Sequence, residues 1–216
     1  MTKYLDLENW HRRELFEFFI GYTNPYFNVC TKLDVTALLA FVRDRPGVRI
    51  SLAMHYFGLR VANEFESFRY RLKDQKVIVY DVINGGTTVL LPNESFAYAY
   101  FDYHPDFGKF IAEMGKAIDE LRNSTDPLRP TMRDDVIYHT TLPWISFTSF
   151  AHARTPGRGD SVPRFVFGKF TKENERIMMP FSVEVHHALM DGLHVGRYLT
   201  RLEEALADPE SFVRSG

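Results

Sequence analysis

The sequence predicts an α+β fold, a two-layer sandwich with helices packed on one side of a mixed, largely antiparallel sheet. Strand-like segments come in adjacent groups, and helical segments separate these groups. The composition does not shift along the chain, and no internal repeat interrupts it. We therefore expect one domain over residues 1–216.

The composition is typical of a protein with its own hydrophobic core. The chain has 216 residues, of which 45% are hydrophobic, 25% charged and 15% aromatic. The formal net charge is −2, and no long basic run occurs. This balance argues against nucleic acid or an anionic membrane as the main partner.

Cysteine usage and the N-terminus indicate a cytoplasmic location. The single cysteine, Cys30, excludes an intrachain disulfide and a cysteine-based zinc site. Residues 1–13 carry charges where a signal peptide needs an apolar run, and no stretch approaches 18 apolar residues. We expect a cytoplasmic globular protein with no membrane contact, and composition alone leaves enzyme, binder and scaffold open.

Five helices are predicted from apolar residues at three- and four-residue spacing. The second begins at Asp34, whose side chain is a suitable N-cap, and ends before Pro46-Gly47. The predicted helices are Asn9–Tyr22, Asp34–Val42, Ser51–Phe65, Asp106–Asn123 and Asp191–Ala207.

Nine strands are predicted from short runs of β-branched and aromatic residues. Turn signals at Lys73-Asp74 and Asn84-Gly85-Gly86 separate the first group, and Thr155–Val162 is the expected flexible loop. The predicted strands are Tyr26–Lys32, Phe68–Leu72, Val77–Ile83, Thr87–Leu91, Phe96–Tyr103, Ile137–Thr141, Trp144–Phe150, Arg164–Phe170 and Arg176–His187.

The strongest chemical signal is the segment 181–192, a strand that ends in two histidines. A tight connection with Asp191 and Gly192 then opens the last helix. A histidine at this position is held by backbone on both sides and still faces a cleft, as a general base requires. The competing interpretations are a pair of packing or surface histidines and an ordinary Asp-Gly helix cap. A metal site is disfavoured because adjacent strand residues point to opposite faces and no HExxH motif occurs.

The spacing His-His-x-x-x-Asp-Gly of residues 186–192 resembles chloramphenicol acetyltransferases and related coenzyme A-dependent acyltransferases. Two further segments carry the resemblance, the Asn-Trp-His-Arg-Arg run of 9–13 and the Leu-Pro-Trp run of 142–144. The similarity extends from about Tyr4 to the last helix. Condensation domains of peptide synthetases share the histidine motif but are about twice as long.

The resemblance implies four catalytic residues and no metal. His187 is the general base, and Asp191 forms an ion pair with Arg12. Thr140 stands where the family has a serine whose hydroxyl donates to the oxyanion. The acyl group passes directly from acetyl-coenzyme A to an acceptor hydroxyl, without an acyl-enzyme.

The resemblance also assigns binding residues. Lys169, Phe170 and Trp144 are expected beside the coenzyme, where the lysine meets a phosphate and the phenylalanine ring stacks on adenine. Val166 and Tyr138 depart from the polar residues common near the oxyanion donor, and Thr23 and His152 replace apolar residues. The expected acceptor-binding residues are Phe18, Phe19, Thr23, Phe27, Phe96, Phe150, His152, Val166 and Tyr138.

The function implied by the resemblance is acetylation of the primary hydroxyl of chloramphenicol, which gives antibiotic resistance. The family also implies a homotrimer in which His187 of one subunit faces the acceptor pocket of its neighbour. Two alternatives stay open: the same chemistry on another alcohol or amine, and a non-catalytic ligand-binding relative.

Overall fold

The computed structural model describes residues 2–123, 133–154 and 160–215. These ranges form ten strands, six α-helices and a 3-10 turn at Glu66–Arg69. The strands are β1 (Thr2–Tyr4), β2 (Tyr26–Asp34), β3 (Tyr70–Lys73), β4 (Lys76–Tyr80), β5 (Asn84–Leu90), β6 (Phe96–Phe101), β7 (Val136–Thr141), β8 (Arg164–Phe167), β9 (Thr171–Glu173) and β10 (Arg176–His186). The helices are α1 (Arg13–Ile20), α2 (Thr36–Arg43), α3 (Ile50–Glu64), α4 (Phe107–Arg122), α5 (Gly192–Ala207) and α6 (Pro209–Arg214).

The main sheet has seven strands in the order β2-β10-β8-β7-β5-β6, with β9 paired to the start of β10. The β5–β7 and β7–β8 pairs are parallel, and the other pairs of this sheet are antiparallel. A small antiparallel sheet has the order β1-β4-β3. The predicted mixed, largely antiparallel sheet is confirmed.

The two faces of the main sheet differ in chemistry. Along β10, Phe181, Val183 and Val185 join the hydrophobic core, whereas Ser182 and Glu184 alternate with them and point to the other face. We call this second face, which carries Ser182, Glu184 and His186, the outer face. The core side is covered by helices: aromatic side chains of β8 and β6 contact residues of α3, α4 and α5. The predicted two-layer sandwich is therefore confirmed.

All five predicted helices form, although their ends shift. The first begins at Arg13 instead of Asn9, and α4 begins as predicted after Asp106, whose carboxylate accepts from Lys109 N at 2.7 Å. Asp34 was expected to cap α2, but β2 runs through it and Val35 holds the cap position. No helix in the described part of the chain is long and apolar enough to cross a membrane.

Two sequence predictions are wrong for physical reasons. The predicted strand Trp144–Phe150 is irregular, and its apolar side chains Trp144 and Ile145 are exposed instead of paired in the sheet. The predicted turn at 84–86 is instead the start of β5. Position 85 is glycine because a Cβ there would overlap the ring of Phe101, so this glycine permits close packing and does not mark a turn.

Smaller differences concern short segments. Phe68, predicted in a strand, lies in the 3-10 turn, and the sequence patterns miss β1, β9 and α6. Lys73-Asp74 does form a turn, between β3 and β4, with positive φ at Asp74 and Gln75. Most of the predicted Thr155–Val162 loop, residues 155–159, lies outside the described residues.

A pair of buried histidines predicts acid sensitivity. His55 of α3 and His139 of β7 lie 4.8 Å apart between ring centroids, and His55 Nε2 lies 3.1 Å from Thr87 Oγ1. Burial lowers the pKa of His55 to about 4 and also lowers the pKa of His139. Since unfolding returns His55 to a pKa near 6.5, the unfolded chain binds more protons between these values.

We therefore expect the free energy of unfolding to fall as the pH drops from about 6.5 to 4, by about 3 kcal/mol from His55 alone. Urea unfolding at pH 7 and near pH 4 measures this loss. The control is His55→Gln, which lacks the titrating ring and should lose less unfolding free energy over the same pH range. Equal unfolding free energies at both pH values would contradict the prediction.

Candidate active site

The end of β10 positions two histidines with fixed backbone geometry. The strand ends at His186, a tight turn follows, and α5 begins at Gly192. The N–H of His187 donates to Pro25 O at 2.7 Å, and the N–H of Leu189 donates to His186 O at 3.0 Å. The backbone on each side of His187 is thus bound to the fold.

The ring of His187 is held by aromatic packing. Phe19 stacks on it with ring centroids 3.8 Å apart and planes 8° apart, and Phe27 lies at 4.7 Å. His187 is half-buried, and its Nδ1 is buried with no hydrogen-bond partner among the described residues. Phe18 contacts Phe19 at 5.0 Å and is itself exposed, as is Thr23. Four predicted acceptor residues therefore lie at the His187 end of the sheet.

His186 has a different environment from its neighbour. It is buried, its ring meets Tyr26 edge-on at 5.2 Å, and its Nδ1 accepts from Ala188 N at 3.3 Å. Burial, together with the nearby Arg154 charge, lowers the pKa of His186 to about 4. This histidine is therefore neutral near pH 7, and of the two adjacent histidines His187 is the less buried.

Asp191 connects the turn, α1 and α5. Its carboxylate pairs with Arg12, caps α5 by accepting from Leu193 N at 3.0 Å, and lies 2.8 Å from His194 Nδ1. Burial raises the pKa of Asp191, but the hydrogen bonds and charges of His194 and Arg12 outweigh it and bring the pKa down to about 2. Asp191 is therefore ionised near neutral pH.

Arg12 and His194 support Asp191 from two sides. Arg12 is buried, and its Nε and Nη2 have no hydrogen-bond partner among the described residues. Sequence reasoning missed His194, which occupies the third helical position after the cap. That position completes a capping box and is the signal that could have identified it.

A pocket of about 320 Å³ lies beside the other half of β10. Two predicted coenzyme residues, Lys169 and Phe170, line it, whereas Trp144 is 64% exposed and does not line it. The Lys169 amine is exposed and available to an anionic group, and most of the wall is apolar. The complete lining is Ile50, Ser51, Met54, Thr141, Pro143, Phe167, Gly168, Lys169, Phe170 and Met179.

The predicted oxyanion donor, Thr140, lies on the outer face of β7, opposite the face on which Thr141 lines the pocket. Thr140 is the residue before the pocket residue Thr141 and pairs in register with Val166, which is fully buried. Tyr138 shares a face with Thr140, and its hydroxyl donates to Arg133 O at 3.2 Å. Burial raises the pKa of Tyr138 well above its ordinary value, so its hydroxyl stays protonated.

The three remaining acceptor candidates lie in two separate places. Phe96 is half-exposed at the start of β6, on the edge of the main sheet. Phe150 and His152 lie in the irregular segment after β7, with ring centroids 4.8 Å apart. His152 also lies next to Glu184 of β10, with 3.6 Å between Nδ1 and Oε2.

The register of the sheet separates His187 from Thr140. Thr140 aligns with Val166 and, through it, with Ser182, which is five residues before His187. At about 3.4 Å per residue and about 4.8 Å per strand, the two residues of one chain lie roughly 19 Å apart. Lys169 lies still farther along, because Gly168 N donates to Pro180 O at 2.8 Å. The candidate residues of one chain therefore form two separate groups at opposite ends of β10, which we call the His187 half-site and the Thr140 half-site.

Comparison with known proteins identifies the family. The model of the chloramphenicol acetyltransferase family matches residues 2–203. The chain belongs to the chloramphenicol acetyltransferase family. The predicted resemblance is confirmed, as is the predicted enzyme class, an acyltransferase.

Individual relatives support the same family over most of the chain. Chloramphenicol acetyltransferase 2 of Escherichia coli is 32% identical over 92% of this chain and 94% of its own length. A chloramphenicol acetyltransferase of Streptomyces acrimycini is 33% identical, with coverage of 95% and 94%.

Solved structures confirm the chloramphenicol acetyltransferase fold. One chloramphenicol acetyltransferase superposes with a TM-score of 0.88 at 28% identity, covering 95% of this chain and 100% of the other. A dihydrolipoamide acetyltransferase of Azotobacter vinelandii has a TM-score of 0.69 at 17% identity, covering 93% and 88%, and so shares the fold. Among the described residues, no group of three or more His, Cys, Asp or Glu side chains is placed to hold a metal ion.

Proposed function

We propose that this chloramphenicol acetyltransferase family member transfers an acetyl group from acetyl-coenzyme A to the primary hydroxyl of chloramphenicol and so gives antibiotic resistance. The family match over residues 2–203 carries the proposal. Relatives named for this activity are 32–33% identical over more than nine-tenths of the chain. We expect the enzyme to work in the cytoplasm.

The proposed reaction uses His187 as general base. His187 takes the proton of the acceptor hydroxyl, and the oxygen attacks the thioester carbonyl to form a tetrahedral oxyanion. The Thr140 hydroxyl donates to that oxyanion. Collapse of the intermediate breaks the carbon–sulfur bond, and the thiolate of coenzyme A leaves with the proton held by His187. The products are an acetyl ester and free coenzyme A.

The proposed site forms between subunits of a homotrimer. Thr140 and His187 of one chain are roughly 19 Å apart by strand geometry, too far to act on one acyl carbon. A neighbouring copy that places its His187 beside the Thr140 half-site brings the general base and the oxyanion donor together. The exposed side chains of Phe18 and Phe96 lie at the two half-sites, where such a copy would cover them.

The apolar pocket fits part of the coenzyme. Its wall suits the pantetheine arm, and exposed Lys169 suits a phosphate. Thr23 and His152 make the acceptor wall more polar than an all-aromatic one, which favours a different alcohol as the alternative acceptor.

A mixed-subunit experiment tests the shared site. His187→Ala and Thr140→Val variants are each expected to lose most activity in an assay of thiol release from acetyl-coenzyme A with chloramphenicol. Co-expression in equal amounts should restore roughly a quarter of wild-type activity, since roughly one interface in four then joins an intact His187 to an intact Thr140.

The controls distinguish a failure of the variants to assemble from a loss of catalysis. Each variant mixed with wild-type protein shows whether subunits exchange, and sedimentation shows whether the trimer forms. An inactive mixture of exchanged subunits, with active wild-type protein, would contradict the shared site. Thiol release with other alcohols, but not with chloramphenicol, would support the alternative acceptor.

A further inference from the structure

A balanced cluster of four charged side chains lies on the outer face of the sheet, next to the histidine end. We call Arg154, Asp160, Arg164 and Glu184 the ion cluster. Glu184 is only 5% exposed and belongs to β10, where it pairs in register with Asn28 and Arg164. Two positive and two negative charges are brought together, so the cluster needs no outside counter-ion.

Arg154 is the centre of the ion cluster. Its Nε donates to Glu184 Oε1 at 2.7 Å, and its Nη1 donates to Asp160 Oδ2 at 2.9 Å. The guanidinium also lies over the ring of Tyr26, 3.9 Å from the centroid. Arg164 closes the cluster by donating to Asp160 Oδ2 at 2.7 Å and to Ala153 O at 2.9 Å.

The second oxygen of Glu184 is directed at His152. The N–H of His152 lies 3.4 Å from Glu184 Oε2, and its ring Nδ1 lies at 3.6 Å. The ring of His152 packs edge-on against Phe150. One buried carboxylate thus contacts both Arg154 and His152, which are two residues apart in the same segment.

That segment, residues 142–154, joins the two half-sites along the outer face. At its start, Leu142 N donates to Phe167 O at 2.8 Å, and Ile145 O accepts from Lys169 N at 2.9 Å. Its end is held at the ion cluster, beside Tyr26 and therefore beside His186. Because the predicted strand 144–150 is irregular, no strand pairing holds Phe150 and His152, which lie between these two attachments.

The charge state of Glu184 agrees with this arrangement. Burial raises the pKa of Glu184, but the close approach of the His152 ring and the charge of Arg154 outweigh it and lower the pKa to about 2. The carboxylate is therefore ionised near neutral pH.

We propose that Glu184 is a positioning residue for acceptor binding: by holding Arg154 and His152 it fixes segment 142–154, and so places Phe150 and His152 in the acceptor wall. The inference rests on the proposed function. It predicts that acceptor affinity, and not coenzyme affinity, depends on the Glu184 charge, because the Lys169 pocket is attached at the other end of the segment.

The Glu184→Gln variant tests this in steady-state kinetics with the intact enzyme. Glutamine keeps the size and one acceptor oxygen but removes the charge that binds Arg154. We expect KM for chloramphenicol to rise about tenfold, with kcat changed less than about threefold and KM for acetyl-coenzyme A changed less than about twofold. Glu173→Gln is the matched control, since Glu173 is an exposed carboxylate paired with Lys32 near the same strand.

A second variant covers the case in which Glu184→Gln folds poorly. Arg154→Gln with Glu184→Gln removes both charges, so no buried charge is left unpaired. We expect this double variant to melt close to wild type and to keep the raised acceptor KM.

The outcomes separate the two proposals. Unchanged KM values, or equal losses for both substrates, in a folded variant would overturn the positioning role while the proposed function stands. If the wild-type enzyme acetylates another alcohol and not chloramphenicol, the proposed acceptor is wrong. In that case, KM for that alcohol and KM for acetyl-coenzyme A are compared in the Glu184→Gln variant. A rise in KM for the alcohol alone supports the positioning role of Glu184, and equal changes overturn it.

Discussion

Replacing His187 with alanine is expected to lower kcat for acetyl transfer by about 10²–10⁴-fold, the usual contribution of a general base. The variant loses the imidazole that Phe19 and Phe27 hold in place, whereas the backbone bond from residue 187 to Pro25 O persists. We therefore expect the fold to survive and the substrate KM values to change little. Thiol release from acetyl-coenzyme A in the presence of chloramphenicol measures the effect.

His186 provides the matched control for this prediction. It is the adjacent residue, but it is buried on the opposite face against Tyr26. His186→Asn should keep kcat within about tenfold of wild type if His187 alone transfers the proton. Equal activity of His187→Ala and wild type would remove His187 from the mechanism.

Replacing Arg71 with methionine is expected to lower the free energy of unfolding by about 3–5 kcal/mol, the largest stability effect we predict. Arg71 is fully buried, and its guanidinium donates to the carbonyls of Phe68 and Tyr70 at 2.9 and 2.6 Å. It also donates to Asp134 O and Val136 O, next to and within β7. Methionine fills similar space but leaves buried acceptors without donors, each at a cost of about 1–3 kcal/mol.

Urea unfolding at pH 7 measures the loss, and Arg176→Met is the control. Arg176 is exposed and lies 3.6 Å from Asp34, so its removal should change stability by less than about 1 kcal/mol. Equal effects of the two substitutions would show that the four carbonyls find other partners. A large effect of Arg71→Met alone shows that this side chain joins the small sheet to the main one.

The turn around His187 could be predicted because its geometry is local. Strand alternation up to His186, a tight turn and the cap at Asp191 are all short-range patterns, and the structure shows each of them. The pairing of Arg12 with Asp191 could be expected only from the family resemblance, since 179 residues separate the two.

The rest of the site depends on long-range contacts that local patterns do not encode. Residues 144–150 alternate like a strand, but they pair with no strand in the described part of the chain, and the residues that follow them contact Glu184 on the outer face instead. Gly85 resembles a turn residue, yet it lies in β5 because Phe101 occupies the space of a side chain. Likewise, the contacts of Glu184 with His152 and Arg154 join positions about 30 residues apart, and no spacing rule predicts them.

The position of β10 inside the main sheet has a consequence for protein synthesis. β10 lies between β2, near the start of the chain, and β8, so neither strand gains this partner until the last fifth of the chain is made. A nascent chain on the ribosome therefore exposes unpaired strand edges for most of translation, which favours aggregation and slow folding. Since the His187 turn and α5 follow β10, premature termination before this strand yields a product that lacks a central strand of the sheet and the proposed general base.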